Sequence, residues 1–85
     1  MKLTFLKSGD SCVAWVDDQR VLARESIPTL ISELARTILE AKQDDEKIVV
    51  ECPLSYDGKN HPPFSEVEQR ELKVHLDCFG IALPT

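Results

Sequence analysis

The chain has 85 residues, 42% of them hydrophobic and 29% charged, and its 15 acidic and 10 basic residues give a net charge of −5. This length fits a single domain over residues 1–85, and the scattered basic residues disfavour nucleic acid as a partner, because phosphate contacts need clustered lysine and arginine. No apolar run approaches the roughly 20 residues of a membrane span, so we expect a cytoplasmic protein with no membrane partner.

Three strands are predicted before the first helix. Leu3 and Phe5 alternate with polar residues, which indicates a strand with one buried face. Residues 11–16 are nearly continuous in apolar side chains and predict a central strand. Residues 21–24 follow the turn residues 17–20 as a returning strand. Together these segments predict an antiparallel meander.

A helix and a buried strand are predicted next. Ser26 is a good N-cap with Pro28 in the first turn, and apolar residues then recur at spacings of three and four up to Leu39. After a polar loop over residues 43–46, residues 47–52 are apolar enough to predict a strand covered on both faces. Such a strand belongs inside a sheet.

The second helix carries its own boundary signals. Ser65 and Glu68 have the spacing of a capping box, and Gly80 suits the left-handed position after the helix, with Ile81 folding back on Leu76. Two apolar rows predict a wide, half-buried helix face, and their members are Leu72, Leu76 and Phe79, and Val67, Val74 and Cys78. A second apolar run begins at Ile81 and predicts a last strand.

The element order is therefore β-β-β-α-β-α-β, which predicts an α/β fold with a mixed sheet, a three-strand antiparallel meander followed by crossovers. Ligands of open α/β sheets bind outside the carboxyl ends of the strands, where the segment from Glu51 to Asp57 would lie. The three cysteines, Cys12, Cys52 and Cys78, form no CxxC pair and fall on apolar elements, so we expect small core residues rather than metal ligands or a disulfide.

Residues 48–58, which read IVVECPLSYDG, resemble the I-V-V-G-L-P-L-x-x-D-G segment of the YqgF/RuvX proteins, which are Holliday-junction resolvase-like nucleases. Residues 80–84 (GIALP) are similar to the family's G-L-P-V strand start, and residues 21–24 (VLAR) to its L-A-R run before the first helix. The resemblance implies a minimal ribonuclease H-like fold and, in intact members, metal-dependent nuclease activity.

The chain differs from this family at the positions of the metal-binding carboxylates. Family members carry an Asp-x-Gly on the first strand, whose carboxylate holds the metal, but Phe5 and its neighbours stand there. The family's second acidic cluster lies beyond the strand that would begin at Ile81, and the sequence ends at Thr85. Two-metal cleavage needs several carboxylates that converge on ions about 4 Å apart. We therefore predict no catalytic residue, no metal ligand and no cofactor.

The segment from Tyr56 to Phe64 is the predicted binding site. It is a long loop stiffened by two prolines and rich in aromatic side chains, which are common interface anchors. We predict a binding role for five of its residues, Tyr56, Asp57, Gly58, His61 and Phe64. An alternative is a crossover loop in which Phe64 packs onto the second helix. Trp15 is interpreted as a core residue.

Three functional hypotheses follow. The first is a small, acidic, non-catalytic ribonuclease H-like domain, a pseudoenzyme that binds another protein as a regulator or forms a homodimer. The second is a divergent nuclease that uses Mg²⁺ or Mn²⁺ at Glu51, Asp57, Asp10 and Asp17. The third is an antitoxin or immunity-type inhibitor that covers a basic enzyme with acidic residues such as Asp44, Asp45 and Glu46.

Overall fold

A computed structural model describes residues 1–17, 19–56 and 58–81 of the chain. Its strands and helices follow the predicted order, with an additional short hairpin before the second helix. In chain order they are β1 (Lys2–Ser8), β2 (Ser11–Val16), β3 (Gln19–Arg24), α1 (Ile27–Gln43), β4 (Val49–Glu51), β5 (Ser55–Tyr56), β6 (Lys59–Asn60) and α2 (Glu66–Asp77). No described helix is both long and apolar enough to cross a membrane.

Four strands form a mixed sheet in the order β3-β2-β1-β4. The β1–β2 and β2–β3 pairs are antiparallel, so the predicted meander is confirmed. After the crossover through α1, β4 returns parallel to β1, with Val50 opposite Leu3. The α/β class is thus confirmed. The predicted last strand after Ile81 lies outside the described residues.

β1 is buried on both of its faces, which the sequence did not indicate. Leu3, Thr4, Phe5 and Leu6 are all buried, so the prediction of a single buried face is wrong. The reason is its position, because β1 lies between β2 and β4 and has α-helices on one face and the β5–β6 hairpin on the other. Alternating polarity gave no sign of this second layer, since a buried threonine reads as a polar residue.

β4 is shorter and more exposed than predicted. It spans three residues, Val49 is 44% exposed and Glu51 is exposed. Within the described sheet β4 is an outer strand, and the exposure of Val49 contradicts the prediction of cover on both faces. The prediction that residues 47–52 run inside the sheet depends on the strand after Ile81, which lies outside the described residues. Only Val50 of β4 faces the core, opposite Leu3 of β1.

Both helices have the predicted ends. The Ser26 hydroxyl accepts a hydrogen bond from the Thr29 amide at the start of α1. At the start of α2, Ser65 and Glu68 form the reciprocal capping box. Beyond α2, Gly80 has a φ of 73°, and the Ile81 amide donates to the Leu76 carbonyl at 3.0 Å. This is the Schellman pattern, which allows Ile81 to return to the core.

The main core lies between the two helices and one face of the sheet. Its side chains come from β1, β2, β4 and both helices, and from one residue on each side of α2, Phe64 and Ile81. They are Leu3, Phe5, Cys12, Ala14, Ile27, Leu30, Ile31, Leu34, Ile38, Val50, Phe64, Leu72, Leu76 and Ile81.

The second predicted row of α2 is not part of this core. Leu72 and Leu76 are buried, but Val67 is 62% exposed, Val74 is 54% exposed and Cys78 is also exposed. The predicted wide face is therefore wrong in its second half. Cys52 is exposed as well, so of the three cysteines only Cys12 is the small core residue that we expected.

Thr4 gives a testable consequence of the two-sided burial of β1. Thr4 is fully buried, and its Oγ1 has no hydrogen-bond partner among the described residues. An unpaired buried hydroxyl costs on the order of 1–3 kcal/mol, so we expect Thr4→Val to raise the free energy of unfolding by about 1 kcal/mol. Urea unfolding followed by circular dichroism measures this change.

Thr37→Val is the matched control, because Thr37 is half-buried on α1. We expect the control to change stability by less than about 0.5 kcal/mol. A loss of stability in Thr4→Val would show that the hydroxyl has a partner, and the prediction would then be wrong.

Candidate functional site

The β5–β6 hairpin lies against the sheet face opposite the helices. The Tyr56 ring contacts the Trp15 ring with centroids 4.9 Å apart and planes inclined at 58°, a tilted aromatic pair. Leu6 and Val13 are buried on this face, outside the main core. Trp15, which we had interpreted as a core residue, is half-buried here and forms part of the surface.

A groove of about 300 Å³ lies beside this aromatic pair, and we call it the aromatic groove. Residues of β1 and β2 line it together with Tyr56 of β5, Lys59 of β6 and the following His61. Its lining residues are Leu6, Ser8, Val13, Trp15, Tyr56, Lys59 and His61. The backbone of His61 is fixed, because its amide donates to the Leu54 carbonyl at 2.7 Å.

A second groove, of about 230 Å³, lies at the carboxyl ends of β1 and β4, and we call it the strand-end groove. This is the position at which open α/β sheets bind ligands. Three prolines and Leu54 line it together with residues of β1 and α2, in the set Phe5, Leu6, Lys7, Cys52, Pro53, Leu54, Pro62, Pro63, Phe64, Gln69 and Leu72. Leu6 lines both grooves, so they are neighbours.

We call the surface formed by the accessible lining residues of these two neighbouring grooves the hairpin surface. Its most exposed large apolar side chain is Leu54, which is 60% exposed. The surface consists of Trp15, Leu54, Tyr56, His61, Pro62 and Pro63. Sequence patterns did not indicate that Leu54 and Trp15 lie on this surface. For Leu54, its position between Pro53 and the predicted Asp-Gly turn is a signal that could have indicated it.

An ion pair forms the inner end of the strand-end groove. Lys7 Nζ donates to Glu68 Oε1 at 2.6 Å, with side chains 25% and 19% exposed. The same carboxylate accepts from the Ser65 amide at 3.0 Å and from the Cys12 thiol at 3.6 Å. This joins β1, β2 and the start of α2, so the network positions the loop that ends at Phe64.

The hydrogen bond from Lys7, followed by that from the Ser65 amide, lowers the pKa of Glu68 from 4.5 to about 2. The same hydrogen bond raises the pKa of Lys7. The thiols are not activated here. Desolvation is the main cause that raises the pKa of Cys12, and it raises the pKa of Cys52 to about 11 even though Cys52 as a residue is exposed. Both are therefore protonated and weakly nucleophilic near neutral pH.

The lowered pKa of Glu68 predicts acid sensitivity. Between about pH 4.5 and 2, Glu68 is protonated in the unfolded chain but still ionised in the folded chain. The free energy of unfolding that this carboxylate contributes therefore falls as the pH drops through that range. We expect Glu68→Gln to lower the free energy of unfolding by about 1 kcal/mol at pH 7 and to flatten this part of the pH profile.

Urea unfolding of wild type and variant at pH 7, 5, 4 and 3 measures both effects. Glu66→Gln is the control, since Glu66 lies in the same first turn of α2 but is exposed. Parallel pH profiles for wild type and Glu68→Gln would contradict this account.

The carboxylates of the nuclease hypothesis are not brought together. Asp10 and Asp17 lie at opposite ends of β2, which is six residues long, so about 17 Å or more separates them. Glu51 is in register with Thr4, about 13 Å along β1 from Ser8 and the turn that holds Asp10. Asp57 lies outside the described residues.

Glu51 and Asp17 instead lie on either side of Lys2. The Lys2 amide donates to Asp17 Oδ1 at 3.0 Å, and Lys2 Nζ is 4.0 Å from Glu51 Oε2. No group of three or more potential metal ligands occurs among the described residues. These two carboxylates therefore contact a cationic side chain and a backbone amide.

The residues predicted to bind a partner differ in position and exposure. Tyr56 and His61 lie on the hairpin surface, and Gly58 is an exposed turn residue with a φ of 77°. Phe64 is only 8% exposed and belongs to the main core, and its carbonyl accepts a hydrogen bond from Gln69 Nε2 at 2.9 Å. The alternative interpretation, in which Phe64 packs onto the second helix, agrees with these contacts, so Phe64 is not available as an exposed anchor.

Comparisons of the chain with models of protein families, with curated proteins and with solved structures found no match in any of the three.

Proposed function

We propose that this protein is a non-catalytic cytoplasmic interaction domain that binds another protein through the hairpin surface. The observation that carries the proposal is the exposure of Leu54, which is 60% accessible and lines the strand-end groove together with three prolines. An apolar side chain in this setting gains about 1.5–3 kcal/mol when a partner covers it fully.

The hairpin surface is also stiff, which favours binding. Pro62 and Pro63 restrict the backbone beside His61, the His61 amide is bonded to Leu54, and Trp15 supports Tyr56 from below. Groups that are already held in place lose little conformational entropy when a partner binds. Trp and Tyr are, moreover, the residue types most often found at the energetic centre of interfaces.

The charged residues that line the aromatic groove indicate which chemical groups a partner presents to it. The described residues that line the aromatic groove include the basic residue types Lys59 and His61 and no aspartate or glutamate, although the protein as a whole is acidic. Opposite charge promotes encounter and fixes the orientation of a complex. A partner segment that presents an apolar side chain beside a carboxylate fits this groove.

We also propose that the domain has a minimal ribonuclease H-like fold. Its support is the order of the elements, in which the β1–β2–β3 meander is followed by α1 and by β4 parallel to β1. The family-like segment then continues from β4 into the hairpin surface. Cross-strand nuclear Overhauser effects between residues 82–84 and 49–51 test this proposal, and random-coil amide exchange of residues 82–84 would contradict it.

The arrangement of carboxylates gives less support to the two alternatives. The nuclease alternative needs Asp10, Asp17 and Glu51 to meet at one point, and the sheet register separates them. In the inhibitor alternative, acidic residues cover a basic enzyme, but the carboxylate of Glu46 is paired with the amino terminus at 3.3 Å. The interaction proposal needs neither arrangement.

The experiment is an affinity capture that compares three forms of the protein. Immobilised wild type, Leu54→Ser and Leu39→Ser are exposed to the same extract of the source cells, and the retained proteins are quantified. Leu39 is the matched control, because it is 50% exposed but lies on α1. We expect at least one protein to be retained by wild type and by Leu39→Ser and to be lost with Leu54→Ser. Equal retention by all three forms would contradict the proposal.

A further inference from the structure

An apolar row runs along the outer side of α2. Val67 and Val74 are 62% and 54% exposed, and Cys78, one turn further, is exposed too. At about 100° per residue these three positions fall within roughly 40° of one another and about 160° away from the centre of the Leu72–Leu76 side that packs on the core. Among the described residues, none is seen to cover this row.

The row has the spacing of a helix-pairing seam. Together with half-buried Glu71, its members lie at positions 67, 71, 74 and 78, which is the alternating four and three spacing of a coiled coil. An isolated surface helix with no partner usually shows polar residues at such positions. This pattern indicates that another helix packs here.

The charges beside the row indicate which helix it is. Arg70 and Asp77 lie on the same flank of the seam, and the side chain of neither forms an ion pair or hydrogen bond with another described residue. When two copies of α2 pack antiparallel about a twofold axis, the same flank of each copy faces the other. Arg70 of each copy then lies opposite Asp77 of the other, which gives two complementary pairs.

We propose that α2 is the interface of a homodimer in which the two copies of this helix pack antiparallel, with Val67 opposite Cys78 of the second copy and Glu71 opposite Val74. The contact is a single pair of 12-residue helices. It is smaller than a standard protein interface, so the dimer is weak and depends on concentration. This surface is separate from the hairpin surface, and either can exist without the other.

Cross-linking tests the register. The variant Val67→Cys is prepared in a Cys52→Ser background and oxidised with oxidised glutathione at high protein concentration, with Lys73→Cys in the same background as the exposed control. We expect the first variant to give at least five times more covalent dimer than the control, with the new disulfide joining positions 67 and 78. A dominant link between two copies of position 67, or equal yields from both variants, would overturn the proposal.

Charge swapping tests the same arrangement without new thiols. Sedimentation equilibrium is expected to show a dissociation constant at least three times larger for Arg70→Asp and for Asp77→Arg than for wild type. The double variant, which exchanges the two charges, is expected to return to within twofold of wild type. A wild-type protein that is monomeric at millimolar concentration, or a double variant that remains as weak as the single ones, would overturn the proposal.

Discussion

Replacing Phe64 by alanine is expected to lower the free energy of unfolding by about 3 kcal/mol, the largest effect on stability that we predict. Phe64 directly precedes Ser65, the N-cap of α2, and is only 8% exposed. Its removal leaves a cavity among Leu72 and other members of the main core. A domain of this size has about 5–10 kcal/mol of stability in total, so the loss is readily measured by urea unfolding.

Leu54→Ala is the control for this substitution, because Leu54 belongs to the same connection but is 60% exposed. We expect the control to change stability by less than about 0.5 kcal/mol. A cost below about 1 kcal/mol for Phe64→Ala would mean that Phe64 does not pack in the core. The original prediction of an exposed binding anchor would then regain its support.

The second large effect is on affinity. Once a partner has been isolated by capture, Leu54→Ser is expected to weaken its binding by 10- to 30-fold, or about 1.5–2 kcal/mol, because the serine cannot supply the apolar area that Leu54 buries in the complex. Isothermal titration calorimetry with purified components measures the ratio. Folding should be unaffected, since the leucine contributes little to the core.

Leu39→Ser again serves as the control and should change the affinity less than twofold. A reduction caused equally by both substitutions would indicate a non-specific apolar contribution, and no reduction with Leu54→Ser would place the interface elsewhere. Tyr56→Ala is a poorer first choice, because Tyr56 also packs on Trp15 and its loss affects the hairpin itself.

The helices were predictable because their signals are local. Ser26, Ser65, Glu68 and Gly80 form the caps that their residue types and spacing predict, and each of these interactions spans only a few residues. The N-terminal meander was predictable for a similar reason, since short turns fix which strands are neighbours. The parallel return of β4 follows from a single helical crossover.

Burial was harder to predict because it depends on distant contacts. The run around Val49 is apolar enough for an inner strand, yet its outer position in the described sheet is set by pairing with β1, 47 residues away in the Lys2–Val49 pair. Val67 and Val74 look like core residues by type but lie on the outer side of α2. Gly58 lies in a turn, as predicted, and Asp57 lies outside the described residues, but the residues beside this turn gave no sign of the β5–β6 hairpin.

The candidate site was predictable only in its location. The sequence indicated the segment after β4, where the strand-end groove lies, but it could not separate the buried Phe64 from the exposed Leu54. Both are large and apolar and are flanked by proline, so the difference arises from packing against α2. Trp15 was missed for the same reason, because only the fold brings it next to Tyr56.

The most direct test of the proposed function is methyl and indole NMR of the labelled protein, titrated with the captured partner. We expect the Leu54 methyl signals and the Trp15 indole signal to shift or broaden at stoichiometric partner, while the Leu39 methyl signals stay unchanged. Changes confined to Leu39, Val67 or Val74, with Leu54 and Trp15 unaffected, would contradict the account.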